Sequence, residues 1–109
     1  MIIEDFQKID IRVGKIVDVE ELSPAKYTTH KLTIDFGPEI GKKVSCARLV
    51  HYTIDSLIGK LVLGVINLPP KRIGKVTSEV LTLGVPDARG ECILLTPDSN
   101  EAVMGSKVY

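Results

Sequence analysis

Alternation of apolar and polar residues with a period of two is the feature that most constrains the fold of this chain. It is clearest in IDIRVGKIVDVEEL, which runs from Ile9 to Leu22. The apolar residues that would fall on one side of a strand here are Ile9, Ile11, Val13, Val17 and Val19. Such alternation predicts a β-strand with one face towards the core. Gly14 interrupts the pattern, which predicts a bulge or a sharp bend in a strand that curls.

Further short strands follow, separated by turn residues and without a long helix. KLTIDFG is expected to be the second strand, with Leu32, Ile34 and Phe36 facing inward. The third, fourth and fifth strands are expected in KKVSCARLV, KLVLGVIN and SEVLTLGV. Between the third and fourth strands, HYTIDSLIGK matches one short helical turn that ends at Gly59. The segment from Ser23 to His30 is expected to be a loop, and GECILLTP and GSKVY are expected to be extension strands. This order predicts an all-β chain, a five-stranded OB-fold barrel with a short helix between strands three and four and C-terminal extension strands.

The composition favours one small domain over residues 1–109, with 44% hydrophobic and 26% charged residues. No stretch approaches the roughly 20 apolar residues of a membrane span, so no membrane insertion is expected. The start, MIIEDFQK, lacks the basic and apolar regions of a signal peptide. Cys46 and Cys92 have no metal-ligand spacing, which favours buried reduced thiols over a disulfide or a reactive thiol. We therefore expect a cytoplasmic protein.

Charge is unevenly distributed, although 14 acids balance 14 bases. Residues 1–39 carry eight acids and five bases, and residues 79–109 carry five acids and two bases. Between them, residues 40–78 hold one acid, Asp55, and seven bases, a net charge of +6. A local excess of positive charge attracts anionic partners even when the net charge is zero. The alternative is that these cations scatter over different faces of the folded chain.

The sequence carries no pattern of catalytic or metal-ligating residues, which favours a binding protein without a cofactor. His30 and His51 have no cysteine or acid partners at ligand spacing. The glycines stand singly rather than in a phosphate-binding loop. Ser45 and Ser78 have no base that the sequence reveals.

The stretch NLPPKRIGKVTSEVL, from Asn67 to Leu81, holds the densest part of the positive charge. It links the fourth and fifth strands, where OB-folds bind oligonucleotides. Lysine and arginine replace the counterions of phosphates, and asparagine or serine can bond to phosphate, sugar or base. Pro69 and Pro70 either stiffen this loop for binding or simply end the strand. The predicted RNA-binding residues are Asn67, Lys71, Arg72, Lys75 and Ser78, together with Lys42 and Lys43.

Aromatic residues indicate which kind of nucleic acid would fit. Tyr27 is well placed to stack on a base, whereas Phe6 and Phe36 are expected to be buried. Proteins that coat single strands stack bases on several aromatic side chains, at about 1–3 kcal/mol per base. The scarcity of such side chains favours recognition of a folded RNA by its shape, its backbone and one or two exposed bases.

DIRVGKI, INLPPKRIGKVTSEVLTLG and the closing GSKV resemble the OB-fold tRNA-binding domain family. That family includes stand-alone dimeric tRNA-binding proteins, C-terminal domains of methionyl-tRNA synthetases and CsaA-type secretion chaperones. MIIEDFQKIDIRVGKI, FGPEIGKKVSCA and NLPPKRI with SEVLTLGVP are closest to the CsaA type. The resemblance implies a homodimer, in which a short N-terminal helix with Ile2, Ile3 and Phe6 helps to form the interface. The alternative is that these three side chains only cap one end of the barrel.

The resemblance also implies roles for single residues of the basic stretch. Asn67 matches an asparagine that ends strand four, Arg72 takes the place of a lysine, and Ser78 matches a serine of the tRNA-binding members. Their arginine-glycine pair is replaced by Gly74 followed by a lysine, so the cation is displaced by one position. Glu79 replaces the glutamine of their Gln-Ala-Met and adds negative charge beside the proposed phosphate site.

Two functions from different classes follow. The leading hypothesis is a CsaA-like homodimeric chaperone that binds unfolded or export-bound polypeptides, on a scaffold that retains some capacity for tRNA. The alternative is a dedicated tRNA-binding protein that acts alone or as a cofactor of an aminoacyl-tRNA synthetase. The expected partners are a second copy, tRNA or another structured RNA, and unfolded or preprotein polypeptides. The chaperone needs an exposed apolar groove near mixed charge, which a sequence alone does not reveal.

Overall fold

The computed structural model describes residues 1–22 and 27–109, and it assigns short helices and strands within them. The helices are α1 (Ile3–Gln7) and α2 (Ile54–Leu57). The strands are β1 (Ile11–Glu21), β2 (His30–Asp35), β3 (Lys42–Ala47), β4 (Leu61–Val65), β5 (Lys71–Ile73), β6 (Val76–Ser78), β7 (Leu81–Thr82), β8 (Gly84–Pro86) and β9 (Cys92–Leu94). The loop predicted from Ser23 to His30 lies partly outside the described residues, and His30 already begins β2.

Five antiparallel strands form the main sheet, in the order β3-β2-β1-β4-β7. Its two ends approach each other, because the N–H groups of Glu79 and Val80 both donate to the Val44 carbonyl, at 2.8 and 3.3 Å. The hydroxyls of Ser45 and Thr82 lie 2.7 Å apart beside this seam. The result is a nearly closed barrel with α2 between β3 and β4, which confirms the predicted OB-fold.

The core lies inside this barrel. Leu32, Ile34 and Phe36 are 0, 0 and 1% exposed, which confirms the inward face predicted for β2 and the residue after it. Leu57 is fully buried in the same cluster and fastens α2 to it. Burial of one such side chain contributes about 1.5–3 kcal/mol.

β1 departs from the predicted alternation at one point. Its pairing with β2 slips between Ile16 and Asp18, so Val17 is the extra residue of a β-bulge. Before the slip, Gly14 and the fully buried Ile16 face the core, and after it Val19 does, so Val17 between them is left 37% exposed. The prediction that Val17 faces inward is therefore wrong. Ile9, also predicted to face inward, precedes the strand and is 42% exposed.

Gly14 has a different role from the predicted one. It pairs in regular register with Val62 of β4, so the bulge lies elsewhere in the strand. A Cβ atom on Gly14 would contact the side chain of Ile34 and lie 2.8 Å from the ring of Phe36. The absence of a side chain at this position is what lets those two residues fill the core.

The predicted fifth strand is divided into three shorter pieces. β6 pairs with β5, β7 pairs with β4, and β8 pairs with β9. The predicted extension strands are present as β9 and as a bridge between Arg12 and Lys107. Within the described ranges, the longest helix is far too short to span a membrane.

Candidate binding surfaces

Three of the predicted RNA-binding cations lie on one hairpin, here called the basic hairpin (residues 71–78). Lys71 and Arg72 lie on β5, Lys75 lies in the two-residue turn before β6, and all three are exposed. Gly74 has a φ of +61° and Lys75 has no positive φ, which is the pattern of a type II′ turn. Arg72 Nε donates to the Gly74 carbonyl at 2.9 Å and braces this turn. A type II′ turn favours glycine at its first central position, which explains why Gly74 precedes Lys75.

Asn67, two residues after β4, forms hydrogen bonds within the protein through both the oxygen and the nitrogen of its side-chain amide. Its Oδ1 accepts from the Asp10 N–H at 3.0 Å, and its Nδ2 donates to the Lys8 carbonyl at 2.7 Å. The side chain therefore ties the segment between α1 and β1 to the end of β4. A ligand would have to use the second lone pair or the second N–H of this amide. The RNA-binding role of Asn67 stays a prediction.

Ser78 and Glu79 complete the barrel seam with their side chains. Ser78 Oγ accepts from the Cys46 N–H at 3.0 Å and donates to the Val80 carbonyl at 3.3 Å. Glu79 Oε1 accepts from the Val44 N–H at 3.0 Å. Each side chain satisfies a backbone donor of β3 at the open side of the sheet. Both residues thus have a structural role, in addition to the RNA contact predicted for Ser78.

Lys42 and Lys43 lie at the start of β3 rather than on the basic hairpin, and Lys43 directly precedes Val44, which bonds to Glu79 just after the hairpin. They pair with Asp35 and Ile34 of β2 and, as neighbours in a strand, point to opposite faces. Four residues of extended strand, about 13 Å, separate Lys42 from Cys46, the residue that Ser78 contacts. The seven predicted residues therefore lie on the basic hairpin, just after β4 and at the start of β3.

The N-terminal segment exposes the apolar residues predicted for the dimer interface. α1 is present as predicted and has no buried residue. Ile2 and Ile3 are both 63% exposed, and Met1 is 98% exposed. Phe6 is half-buried, so the prediction that it is buried is only partly right. Whether these side chains form an interface stays a prediction.

A cleft of about 420 Å³ lies between the residues before α2 and the β8–β9 hairpin. Its lining combines apolar and charged side chains. The lining residues are His51, Tyr52, Asp87, Ala88, Arg89, Cys92 and Ile93. Sequence reasoning missed this cleft because its two walls are far apart in the chain, and the only local signal is the turn in DARG.

Contacts at both ends of the cleft hold its walls together. Tyr52 accepts a hydrogen bond on its hydroxyl from the Leu94 N–H at 3.1 Å. At the other end, His51 Nε2 lies 3.6 Å from Asp87 Oδ2. Backbone N–H groups of Glu91 and Arg89 donate to Asp87 Oδ1 and, with the nearby histidine, hold the pKa of Asp87 below its usual value. The carboxylate of Asp87 is thus ionised and already occupied by the hairpin.

Other charged groups near the cleft differ in how they are paired. Arg48 Nε lies 3.1 Å from Glu91 Oε1, while Glu91 Oε2 is buried and has no partner in the described ranges. Arg89 is exposed and forms no ion pair with any residue that the structure describes. The cleft therefore combines apolar surface with the carboxylate of Asp87 and with the guanidinium of Arg89, which forms no ion pair in the described ranges.

Cys46 and Cys92 are free and half-buried rather than fully buried. Partial burial raises the pKa of both thiols, which keeps them protonated and unreactive near neutral pH. Across residues 1–22 and 27–109, no three His, Cys, Asp or Glu residues are grouped so that they could hold a metal ion.

Comparison with solved structures finds relatives over the full length of the chain. The CsaA chaperone protein from Picrophilus torridus is 44% identical, with a TM-score of 0.91, and the match covers 100% of this chain and 99% of that one. Chaperone CsaA from Bacillus anthracis is 41% identical, with a TM-score of 0.86, and the match covers 100% and 98% of the two chains.

Curated sequences add relatives that are much longer proteins. Methionine–tRNA ligase of Archaeoglobus fulgidus is 39% identical over 106 residues, which cover 97% of this chain and 16% of the ligase. The chain spans 14% of the corresponding ligase of Thermococcus onnurineus, at 32% identity. The match is thus to one segment of these enzymes. Residues 11–107 also match the family described as "Putative tRNA binding domain". The chain belongs to this tRNA-binding domain family, on an OB-fold shared with the CsaA chaperones.

Proposed function

We propose that this chain is a homodimeric chaperone of the CsaA type, with residues 1–109 forming one domain. It binds unfolded or export-bound polypeptides in the cytoplasm. The observation that carries the proposal is the cleft, where Cys92 and Ile93 supply apolar surface beside the opposite charges of Asp87 and Arg89. Unfolded chains expose apolar side chains and backbone groups, which such a surface can cover. The full-length likeness to two CsaA chaperones supports the proposal. The free thiols of both cysteines support a reducing compartment.

Binding of an unfolded polypeptide tests this function directly. The probe is reduced, carboxymethylated lactalbumin, which stays unfolded without denaturant, and binding is followed by fluorescence anisotropy. We expect saturable binding and a slower aggregation of a thermally unfolded reporter enzyme. Folded lactalbumin is the control and should not bind. Equal binding of the folded and unfolded forms, or binding of neither, would rule out the chaperone.

The homodimer is supported by the exposed apolar N-terminus. Ile3 begins α1 and Ile2 is its N-cap residue, and a second copy could bury both side chains. Sedimentation of the purified chain should give twice the mass of 11.9 kDa. Ile3→Glu should shift the equilibrium towards the monomer, whereas Glu4→Gln, a change on the same helix, should not. A monomeric wild-type chain would contradict the dimer.

A dedicated tRNA-binding protein is the second candidate, and the basic hairpin favours it. Lys71, Arg72 and Lys75 present three positive charges on an arm with a defined turn. Titration with total tRNA at two salt concentrations measures the number of phosphates that the protein contacts. Lys71→Ala with Arg72→Ala should flatten the salt slope by about one unit per lost contact. Lys15→Ala, on β1, is the control, and an unchanged slope in the double variant would mean that the hairpin does not bind RNA.

A further inference from the structure

The outer edge of β9 is unpaired beside the cleft. β8 and β9 pair through Gly84–Leu94, Val85–Ile93 and Pro86–Cys92. The Asp87 N–H donates to the Glu91 carbonyl at 2.8 Å, one position closer to the hairpin tip. Because bonded and non-bonded pairs alternate in an antiparallel ladder, Cys92 belongs to a non-bonded pair, and its N–H and C=O point away from β8. Leu94, two residues further along, points the same way, and its N–H is taken by the Tyr52 hydroxyl.

Cys92 keeps an unused donor and an unused acceptor at this edge. Neither its N–H nor its C=O has a hydrogen-bond partner among residues 1–22 and 27–109. Cys92 is one of the residues that line the cleft, and its N–H and C=O point away from β8. The opposite edge of the hairpin carries Pro86, which has no N–H to donate to an added strand. The cleft side is therefore the more favourable edge for strand addition.

The surroundings of Cys92 indicate what kind of chain would fit. Two links, Tyr52 to Leu94 and His51 to Asp87, bracket the edge and leave the cleft between them. Ile93 is 46% exposed and offers apolar surface at one wall. The unpaired guanidinium of Arg89 favours an acidic side chain near that apolar contact.

We propose that an extended polypeptide segment adds as a short strand to the cleft edge of β9, one of its residues exchanging both backbone hydrogen bonds with Cys92. An apolar side chain of the segment packs on Ile93, and an acidic side chain reaches Arg89. Main-chain hydrogen bonds then give affinity for many sequences, and the two side-chain contacts add a preference. This inference rests on the proposed chaperone function and states how the chaperone holds its client.

A set of backbone-methylated peptides tests the pairing on the unaltered protein. The probe is a fluorescein-labelled nonapeptide of alternating valine and threonine with one glutamate, made in versions that each carry a single N-methyl group. Only one peptide amide donates to the Cys92 carbonyl, so methylation there should weaken binding about tenfold. Methylation of either neighbouring residue should weaken it less than about threefold, because those amides point away from β9.

Two matched protein variants locate the site. Ile93 and Val85 face each other across the hairpin and are both 46% exposed, but only Ile93 lines the cleft. Ile93→Lys should weaken peptide binding at least about fivefold, and Val85→Lys less than about twofold. Arg89→Ala should weaken binding of the glutamate peptide and leave a glutamine version unchanged.

The outcomes separate this inference from the function on which it rests. If the peptide and unfolded lactalbumin bind but every methylated position behaves alike, the strand pairing is wrong and the chaperone stands. If the two lysine variants bind peptide equally, the site lies elsewhere. If Ile93→Lys turns a dimer into a monomer, and peptides do not displace the second copy from wild type, then the second copy occupies the β9 edge. That result would overturn the proposal. If neither probe binds, both the pairing and the chaperone fail.

Discussion

Two small β-hairpins lie outside the main sheet in the part of the chain that the structure describes, and they are attached in different ways. The basic hairpin (residues 71–78) is fixed at its base by polar side chains, with Ser78 bonded to the Cys46 N–H. The β8–β9 hairpin is fixed by packing, since Leu94 is 7% exposed and belongs to the core cluster. The first is an exposed charged arm, and the second is one wall of a cleft.

Two hairpins of equal secondary structure can therefore suit different ligands. An arm with three exposed cations suits a polyanion, because each contact releases counterions from phosphate. A wall with an open strand edge suits a peptide backbone, which needs a donor and an acceptor together. Each hairpin thus favours one of the two candidate functions, and variants in one should leave the other intact.

The largest expected effect is loss of the packing that fixes the β8–β9 hairpin. Leu94→Ala removes a buried side chain and should lower the free energy of unfolding by about 2–5 kcal/mol. Ile93→Ala, at the exposed neighbouring position, is the control and should cost less than about 1 kcal/mol. Urea denaturation followed by circular dichroism measures both. Equal losses would mean that the hairpin does not depend on the core.

A smaller effect is expected where the basic hairpin joins the barrel. Ser78→Ala leaves the Cys46 N–H without its acceptor and should lower the free energy of unfolding by about 1–3 kcal/mol. Thr77→Ala, at the exposed neighbouring position, should have little effect in the same urea experiment. If Ser78→Ala changed tRNA affinity without a change in stability, the side chain would serve the ligand rather than the seam.

Acid should weaken the turn at the tip of the β8–β9 hairpin. Hydrogen bonds from the Glu91 and Arg89 N–H groups hold the pKa of Asp87 below its usual 3.8. The folded state therefore binds fewer protons than the unfolded state, so the stabilisation is present above pH 3.8 and is lost as the pH falls through the lower folded pKa. Urea curves should show wild type more stable than Asp87→Asn at pH 7, with the gap closing below pH 3.8. Asp98→Asn is the control, and a gap that stays constant with pH would contradict this account.

The smallest effect on stability is expected at Glu79. Glu79→Gln keeps an oxygen acceptor for the Val44 N–H, so stability should change by less than about 0.5 kcal/mol. Loss of one negative charge beside the basic hairpin should nevertheless raise tRNA affinity a few-fold at low salt. Glu101→Gln controls for net charge. An equal gain in both variants would mean that Glu79 does not border the RNA site.

Much of the fold follows from the sequence because alternation and turn residues are local signals. The inward face of Leu32, Ile34 and Phe36 is predicted correctly, and so is the short helix that ends before Gly59. The bulge at Val17 is missed because it depends on pairing with β2, and a slip of one residue leaves no local trace. The division of the fifth strand is missed for the same reason, since each piece has a different partner strand.

The candidate sites are harder to predict than the fold. The charge of Lys71 and Arg72 is visible in the sequence, and both are exposed as a binding arm requires. The hydrogen bonds of Asn67 reach residues 57 and 59 positions away, which no local pattern reveals. The cleft likewise joins Tyr52 to Ile93 only after the barrel has closed.

Polypeptide and RNA, if both bind, should use different hairpins. One measurement tests it: anisotropy titrations of wild type, Ile93→Lys and Lys71→Ala with Arg72→Ala, each against unfolded lactalbumin and against tRNA. We predict that Ile93→Lys loses polypeptide affinity and leaves the tRNA curve unchanged. We predict that the double variant keeps polypeptide affinity and flattens any salt dependence of tRNA binding. A loss of polypeptide binding in the double variant, with none in Ile93→Lys, would contradict the account.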